Sequence, residues 1–180
     1  IDAFCAEART AAISSSRILT KHSAGEVVSN LFTEPGETAR RSRIERGWID
    51  AGRQFDEAMV LVLKHPAAFT SLADKLCRDF PIFCIIRDPL YVICSWRSIP
   101  AGISTGRLPM GERFDPELRQ RLARIDDLLD RQVAIANWFF GRYLRFDQSR
   151  VIRYEEIVAT GGRALHPIDR RALGLAQSLK

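Results

Sequence analysis

The sequence predicts an α/β domain in which a parallel β-sheet is flanked by helices. Two short apolar runs, residues 59–63 and 82–86, have the length and β-branched content of buried strands. Between them, residues 66–80 place apolar side chains at helical spacing behind Pro66, which is typical of a crossover helix. Because the order is strand, helix, strand, we expect a right-handed unit with the two strands parallel.

Length and charge indicate the broad class of the protein. With 180 residues, of which 46% are hydrophobic, the sequence supports a single domain over residues 1–180 with one sizeable core. The net charge of +5 fits a small polyanionic ligand, and it is also compatible with nucleic acid or an acidic membrane surface. Since the basic side chains are dispersed, we interpret them mainly as solvated surface and do not expect a nucleic-acid partner.

The cysteines and the apolar runs bear on the compartment. Cys5, Cys77, Cys84 and Cys94 show no C-x-x-C spacing and have no histidine at metal-ligand spacing, so we expect neither disulfides nor a zinc or other metal site. Cys84 and Cys94 lie in apolar surroundings and are expected to be buried, reduced thiols, which favours a cytoplasmic location. No apolar run has the length of a membrane span, so we expect no membrane segment.

Two helical segments and a turn are predicted before residue 59. Residues 1–12 are alanine-rich and favour a helix, and the serines at 14–16 suit helix capping or a turn. Residues 34–37 contain the proline and glycine of a turn. Residues 39–55 carry spaced apolar side chains among charged ones, which predicts an amphipathic surface helix.

A charged turn follows the apolar run 82–86. Asp88 is a suitable N-cap and Pro89 a suitable first residue for a helix over residues 90–98. Arg87 is therefore expected at the carboxyl end of a strand, where ligands bind in open α/β sheets, and its planar guanidinium suits phosphate or carboxylate. Ser95, two turns into the helix, offers a hydroxyl to the same anion. The alternative is that Arg87 pairs with a nearby acid and Ser95 bonds to its own helix.

The rest of the chain alternates irregular and regular segments. Residues 99–113 contain two prolines and three glycines and are predicted to form a loop. From residue 116 to about 143, apolar side chains at steps of three and four predict one long helix, with the aromatic cluster 138–140 in the core. Residues 150–154 are predicted to form a third strand, and a helix begins at Glu155.

A final amphipathic helix is predicted over residues 168–179.

Three segments, in this order, resemble motifs of the sulfotransferases that use 3′-phosphoadenosine 5′-phosphosulfate (PAPS). Arg87-Asp-Pro with Ser95 is similar to the motif in which an arginine and a serine eight positions later hold the 3′-phosphate. Residues 61–66, ending in Lys-His-Pro, resemble the strand end that carries the catalytic histidine. Residues 151–156 resemble the family's tyrosine-acidic-acidic segment. Together the three segments lie within residues 58–158.

The resemblance implies the P-loop NTPase-like sulfotransferase architecture and a role for five side chains. Arg87 and Ser95 would bind the 3′-phosphate, and Tyr154 would lie against the adenine. His65 would be the general base that deprotonates a hydroxyl or amine of a small-molecule or glycan acceptor, and Lys64 would stabilise the leaving group. Lys64 and His65 are adjacent, so in an extended chain only one of them would enter the site. The alternatives are a structural histidine and a buried tyrosine whose hydroxyl bonds to the backbone.

Two family motifs have no match in the sequence. The glycine-rich loop that holds the 5′-phosphosulfate is missing, since the serines at 14–16 lack a glycine, and the late basic-glycine motif is not visible. Because the chain begins at Ile1 without methionine, we interpret it as a fragment and expect the loop upstream.

Two other functions remain open on the sequence. One is a noncatalytic nucleotide-binding or scaffold protein of the same fold. The other is a nucleotide-dependent phosphotransferase, for which the chain lacks the G-x-x-x-x-G-K-[ST] motif. The sequence does not indicate the oligomeric state.

Overall fold

The computed structural model describes residues 1–27, 32–33 and 41–175, and the chain divides into two compact units, Ile1–Leu63 and Lys64–Lys180. The fold is mixed α and β, as predicted. In the part that the structure describes, the strands form two separate pairs, one antiparallel and one parallel, in place of the larger parallel sheet that the sequence suggested.

In its described residues, the first unit contains one helix and an antiparallel pair of strands. Its elements are α1 (Asp2–Ser15), β1 (Arg17–His22) and β2 (Glu45–Asp50). The helix predicted over residues 1–12 is confirmed and continues through Ser15. Ser16 then adopts a left-handed conformation with φ 55°, and its N–H bonds to carbonyls of the last helical turn, so the chain passes directly into β1.

The amphipathic helix predicted over residues 39–55 is wrong. Residues 45–50 form β2, which pairs with β1 so that Trp48 lies opposite Leu19 and Ile49 opposite Ile18. Because β-branched and aromatic side chains pack well across strand pairs, a partner strand outweighs the helical spacing of the apolar residues. The turn predicted at residues 34–37 lies outside the described residues.

The strand predicted at residues 59–63 is also wrong. The segment joins no strand pair among the described residues, and Val60 and Val62 are 47% and 62% exposed. Its Met59 carbonyl accepts a hydrogen bond of 2.9 Å from the Arg9 guanidinium. An apolar run makes a strand possible, but a strand also needs a second strand to pair its backbone hydrogen bonds. The predicted strand, helix, strand unit over residues 59–86 is therefore not present among the described residues.

The second unit begins with short helices and the first strand of the parallel pair. The helix predicted over residues 66–80 is broken at Leu72, and the prediction of a strand, a capped turn and a helix around Arg87 is confirmed. The elements are α2 (Pro66–Ser71), α3 (Ala73–Leu76), β3 (Cys84–Ile86) and α4 (Pro89–Arg97). Asp88 caps α4 by accepting a 2.8 Å hydrogen bond from the N–H of Leu90.

A short 3-10 helix (Gly102–Thr105) and three α-helices follow, and the 3-10 helix and the first α-helix lie in the predicted loop. The α-helices are α5 (Pro109–Phe114), α6 (Pro116–Ala123) and α7 (Leu128–Tyr143). The single long helix predicted from residue 116 is interrupted between α6 and α7. The interruption is stabilised because Asp127 caps α7 through the N–H of Asp130, and Arg131 donates to the carbonyls of Ile125 and Asp126.

The described chain closes with the second strand of the parallel pair and two short α-helices. These are β4 (Val151–Arg153), α8 (Tyr154–Ala159) and α9 (Ala172–Leu175). The third predicted strand is confirmed, and it pairs in parallel with β3 so that Ile86 lies opposite Arg153. Of the helix predicted over residues 168–179, the described part contains only α9.

The main buried cluster of the second unit lies among α5, α6 and α7. It consists of five apolar side chains, Leu108, Leu118, Leu122, Ala134 and Ile135. Trp138 and Phe139 pack against this cluster with their ring centroids 4.8 Å apart, which confirms the prediction that these aromatic residues belong to the core.

The four cysteines all carry free thiols, but their surroundings differ. Cys84 is buried as predicted, and burial raises its pKa to about 11. Cys94 is exposed on α4, so the prediction that it is buried is wrong. Among the helices that the structure describes, none combines the length and apolarity needed to cross a bilayer.

A carboxylate is buried where the loop after α4 enters α5. Glu112 is 5% exposed and accepts hydrogen bonds from the Arg107 guanidinium and, at 2.7 Å, from the N–H of Leu108. The hydrogen bond from Arg107 is the main cause that lowers the pKa of Glu112 below its ordinary value of 4.5. The carboxylate is therefore charged at neutral pH and neutralised by a direct partner.

This ion pair predicts a dependence of stability on pH. Because the folded state lowers the pKa of Glu112, its contribution is complete above the ordinary value of 4.5 and is lost as the pH falls through the lowered value. Glu112→Gln is expected to reduce the free energy of unfolding by about 1–2 kcal/mol at pH 7 and by less at about pH 3. Urea unfolding of the two proteins at a series of pH values measures the loss at pH 7 and at about pH 3. An equal loss at both pH values would contradict this account.

Candidate functional site

A cavity lies at the carboxyl ends of the two parallel strands. Its volume is about 280 Å³ and it opens to solvent. The walls come from the turn after β3, the start of α4 and the whole length of α8. The lining residues are Arg87, Tyr91, Tyr154, Glu155, Val158 and Ala159.

The parallel register explains why two distant segments meet here. Ile86 lies opposite Arg153, so the next residue of each strand, Arg87 and Tyr154, emerges at the same edge. Asp88 then turns the chain into α4, while Tyr154 is already the first residue of α8. The structure thus brings together Arg87 and Tyr154, two of the residues that the sequence analysis selected.

The Arg87 side chain lies over two aromatic rings. Its guanidinium carbon is 4.9 Å from the ring centroid of Tyr154 and 5.5 Å from that of Tyr91. Both distances are within the range of cation–π contacts, which orient a guanidinium without using its N–H donors. Within the described residues, no hydrogen-bond acceptor contacts these donors, so they remain available to an anion.

Glu155 connects α8 to the turn after β3. Its Oε1 accepts a 3.0 Å hydrogen bond from the N–H of Asp88. This bond is the main cause that lowers the pKa of Glu155, and the nearby charges of Arg153 and Arg87 contribute in the same direction. The alternative for Arg87 was pairing with a nearby acid. Glu155 is close enough for its charge to interact with that of Arg87, but no direct ion pair joins the two side chains.

Ser95 lies outside the cavity. It is exposed on α4, one helical turn beyond Tyr91 and on the same face of that helix. Its hydroxyl forms no hydrogen bond with another described residue. Its predicted role with Arg87 on one phosphate stays a prediction.

His65 and Lys64 do not line the cavity either. His65 is exposed at the N-cap of α2, where its Nδ1 accepts a 3.4 Å hydrogen bond from the N–H of Ala68. When Nδ1 accepts, the proton of a neutral imidazole resides on Nε2, so the free nitrogen is a donor. Lys64 precedes it and is exposed.

The cap predicts a modest effect of His65 on stability. His65→Ala is expected to lower the free energy of unfolding by about 0.5–1 kcal/mol, because the N–H of Ala68 loses its acceptor. His65→Asn is expected to restore most of this loss, since asparagine is a good N-cap. Urea unfolding followed by circular dichroism measures both variants. Equal losses in both would show that the cap does not matter.

Tyr91 and Glu155 were missed as site residues by the sequence analysis. Tyr91 lies four residues after Arg87 and four before Ser95, a spacing that places it on the same face of α4 as Ser95. Glu155 directly follows Tyr154. Both could have been proposed from spacing alone, but their contacts with Arg87 and Asp88 require the register of β3 and β4.

A second, larger depression of about 520 Å³ lies elsewhere on the second unit. Its lining includes an exposed ion pair between Arg145 and Asp74, with nitrogen and oxygen 3.6 Å apart, and the exposed Cys77. Because these charges neutralise each other in solvent, they do not form a preorganised binding site. In the ranges 1–27, 32–33 and 41–175, no group of three or more metal-ligating side chains comes together.

Comparison of the chain with protein-family models, with curated proteins and with solved structures gives no match. The functional interpretation therefore depends on the cavity and on the residues that the two strands bring to it.

Proposed function

We propose that this chain provides the 3′-phosphoadenosine site of a sulfotransferase that moves a sulfuryl group from PAPS to a hydroxyl or amine of a small molecule or glycan. The observation that supports this most is that Arg87 and Tyr154, from separate segments, share one cavity. A guanidinium with available donors beside an aromatic ring suits a phosphate attached to a nucleoside.

The size of the cavity fits a part of the donor. Its volume of about 280 Å³ is near the lower end of the roughly 300–1,000 Å³ of small-molecule sites, so it would hold one end of a nucleotide. Val158 and the ring of Tyr154 provide an apolar wall, as a nucleobase or ribose requires. Ser95 would join the site from the next turn of α4 if the ligand extends in that direction.

The chemical step would fall to His65 and Lys64. For His65 to remove a proton at Nε2, the imidazole must be protonated on Nδ1, and the cap to Ala68 must be released. Lys64 would stabilise charge on the leaving group. His65→Asn keeps the helix cap and removes the imidazole. Loss of sulfuryl transfer in this variant would therefore show that His65 acts as a base and not only as a cap.

Calorimetric titration of 3′-phosphoadenosine 5′-phosphate into the chain tests the proposal, with AMP and ATP as controls. We expect the 3′-phosphorylated nucleotide to bind at least about tenfold more tightly than AMP, because charge-assisted hydrogen bonds to a phosphate contribute that much. Equal binding of AMP would remove the 3′-phosphate assignment, and preferential binding of ATP would favour a phosphotransferase.

A noncatalytic nucleotide-binding protein is the second candidate, and the position of His65 favours it. His65 caps α2 and does not line the cavity that contains Arg87. Selective binding of 3′-phosphoadenosine 5′-phosphate, combined with no sulfuryl transfer to any acceptor in a screen with PAPS, would support this candidate.

A further inference from the structure

One hydrogen bond links the two segments that form the cavity. Glu155, the second residue of α8, accepts the N–H of Asp88 at 3.0 Å, and Asp88 directly follows Arg87. The bond therefore fixes the peptide unit that joins Arg87 to Asp88. This peptide joins the Cα that carries the Arg87 side chain to Asp88, the N-cap of α4.

The second oxygen of the same carboxylate is shielded and unpaired. Within the described part of the chain, Glu155 Oε2 is inaccessible to solvent and has no hydrogen-bond partner. A shielded acceptor without a partner costs free energy, and such groups in folded proteins call for an explanation in function or strain. The carboxylate is thus held by the N–H of Asp88 and interacts with its own backbone N–H, while Oε2 stays without a hydrogen-bond partner.

The contacts of Arg87 show what this bond controls. The guanidinium contacts the Tyr91 and Tyr154 rings, which belong to α4 and α8. These two helices are joined at their first turns by the Glu155 to Asp88 bond. If that bond is lost, α4 and α8 can separate and the guanidinium loses its fixed place between the rings.

We propose that Glu155 is a positioning residue, which keeps the Arg87 guanidinium between the Tyr91 and Tyr154 rings by holding the N–H of Asp88. The fixed guanidinium would then be presented to the 3′-phosphate, a step that rests on the proposed function. Glu155 itself does not contact the phosphate in this scheme, since two negative charges repel each other.

A purely electrostatic role is the competing explanation. A carboxylate near Arg87 reduces the positive charge that an anion meets, so its removal would then increase the affinity for phosphate. Glutamine separates the two roles, because its amide oxygen accepts the N–H of Asp88 without carrying charge.

The test compares Glu155→Ala and Glu155→Gln with Glu156→Ala, which removes an exposed carboxylate from the neighbouring position. Nuclear magnetic resonance reports the Arg87 Nε–H signal, which the ring currents of Tyr91 and Tyr154 shift, and the hydrogen-exchange rate of the Asp88 amide. We expect Glu155→Ala to move the Arg87 signal to the position of exposed arginines and to raise the exchange rate at least about tenfold. We expect Glu155→Gln and Glu156→Ala to resemble the unmodified chain.

The same variants are then titrated with 3′-phosphoadenosine 5′-phosphate. Glu155→Ala is expected to bind about tenfold more weakly, and Glu155→Gln to restore the affinity. An unchanged Arg87 signal in Glu155→Ala, or tighter binding in both Glu155 variants, would overturn the inference. The resonance measurements need no ligand, so they decide the positioning role even if the unmodified chain binds no nucleotide, a result that would count against the proposed function alone.

Discussion

Replacing Asp115 by alanine is expected to lower the free energy of unfolding of the second unit by about 3–4 kcal/mol. The Asp115 carboxylate accepts hydrogen bonds from the N–H of Leu118 at 3.0 Å, from Trp138 Nε1 at 2.7 Å and from Arg142 Nη2 at 2.7 Å. Its removal leaves a partly buried indole N–H and a partly buried guanidinium without their acceptor. The loss therefore exceeds that of an ordinary helix cap.

The charge state of Asp115 agrees with this role. Burial alone would raise its pKa, but the hydrogen bonds from Trp138, from the N–H of Leu118 and from Arg142 together hold the pKa below its ordinary value. The carboxylate is therefore charged at neutral pH and joins the start of α6 to the last turns of α7.

Asp127→Ala is the matched control. Asp127 is also an N-cap aspartate, but it is exposed and its carboxylate bonds within the described chain to the N–H of Asp130. We expect a loss of about 1 kcal/mol for this variant. Urea unfolding followed by tryptophan fluorescence compares the two. A similar loss in both variants would show that the bonds to Trp138 and Arg142 contribute little.

Arg87→Ala is expected to weaken the binding of 3′-phosphoadenosine 5′-phosphate about 100-fold, if the proposed function holds. The variant removes the guanidinium that lies over the rings of Tyr91 and Tyr154. Among the described residues its N–H donors have no protein acceptor, so in the proposed function they bind the phosphate. Arg87→Lys keeps the charge and loses the planar fork, so we expect an intermediate loss of about tenfold.

Calorimetric titration provides the measurement, and Arg97→Ala is the control. Arg97 is exposed at the end of α4, so its replacement changes the net charge equally without touching the cavity. We expect AMP to bind all variants with similar affinity, because it lacks the 3′-phosphate. If Arg87→Ala and Arg97→Ala weaken binding equally, a general effect of charge explains the result and Arg87 is not the phosphate ligand.

Local sequence signals predicted the surroundings of Arg87 well. The apolar run before it became β3, and Asp88 and Pro89 began α4 as their capping chemistry requires. These signals act over a few residues and need no partner elsewhere. The same reasoning correctly gave β4, whose parallel pairing with β3 places Tyr154 beside Arg87.

Predictions that depended on distant partners failed. Residues 59–63 have the composition of a strand and no partner in the described chain, while residues 45–50 carry helical spacing and pair with β1. Backbone pairing is decided by a second segment, which a local pattern does not reveal. The same limit hid Glu155, because its contact with Asp88 exists only once β3 and β4 are in register.

The brevity of the parallel pair has a consequence for how the cavity opens. β3 and β4 have three residues each, and two strands of this length are marginal on their own, whereas α5, α6 and α7 enclose the main apolar cluster. Partial unfolding should therefore begin at the strand pair, with the helical cluster still intact. A ligand that binds the cavity of the folded state would then make this local opening rarer by mass action, and it would raise the free energy of global unfolding by the same amount.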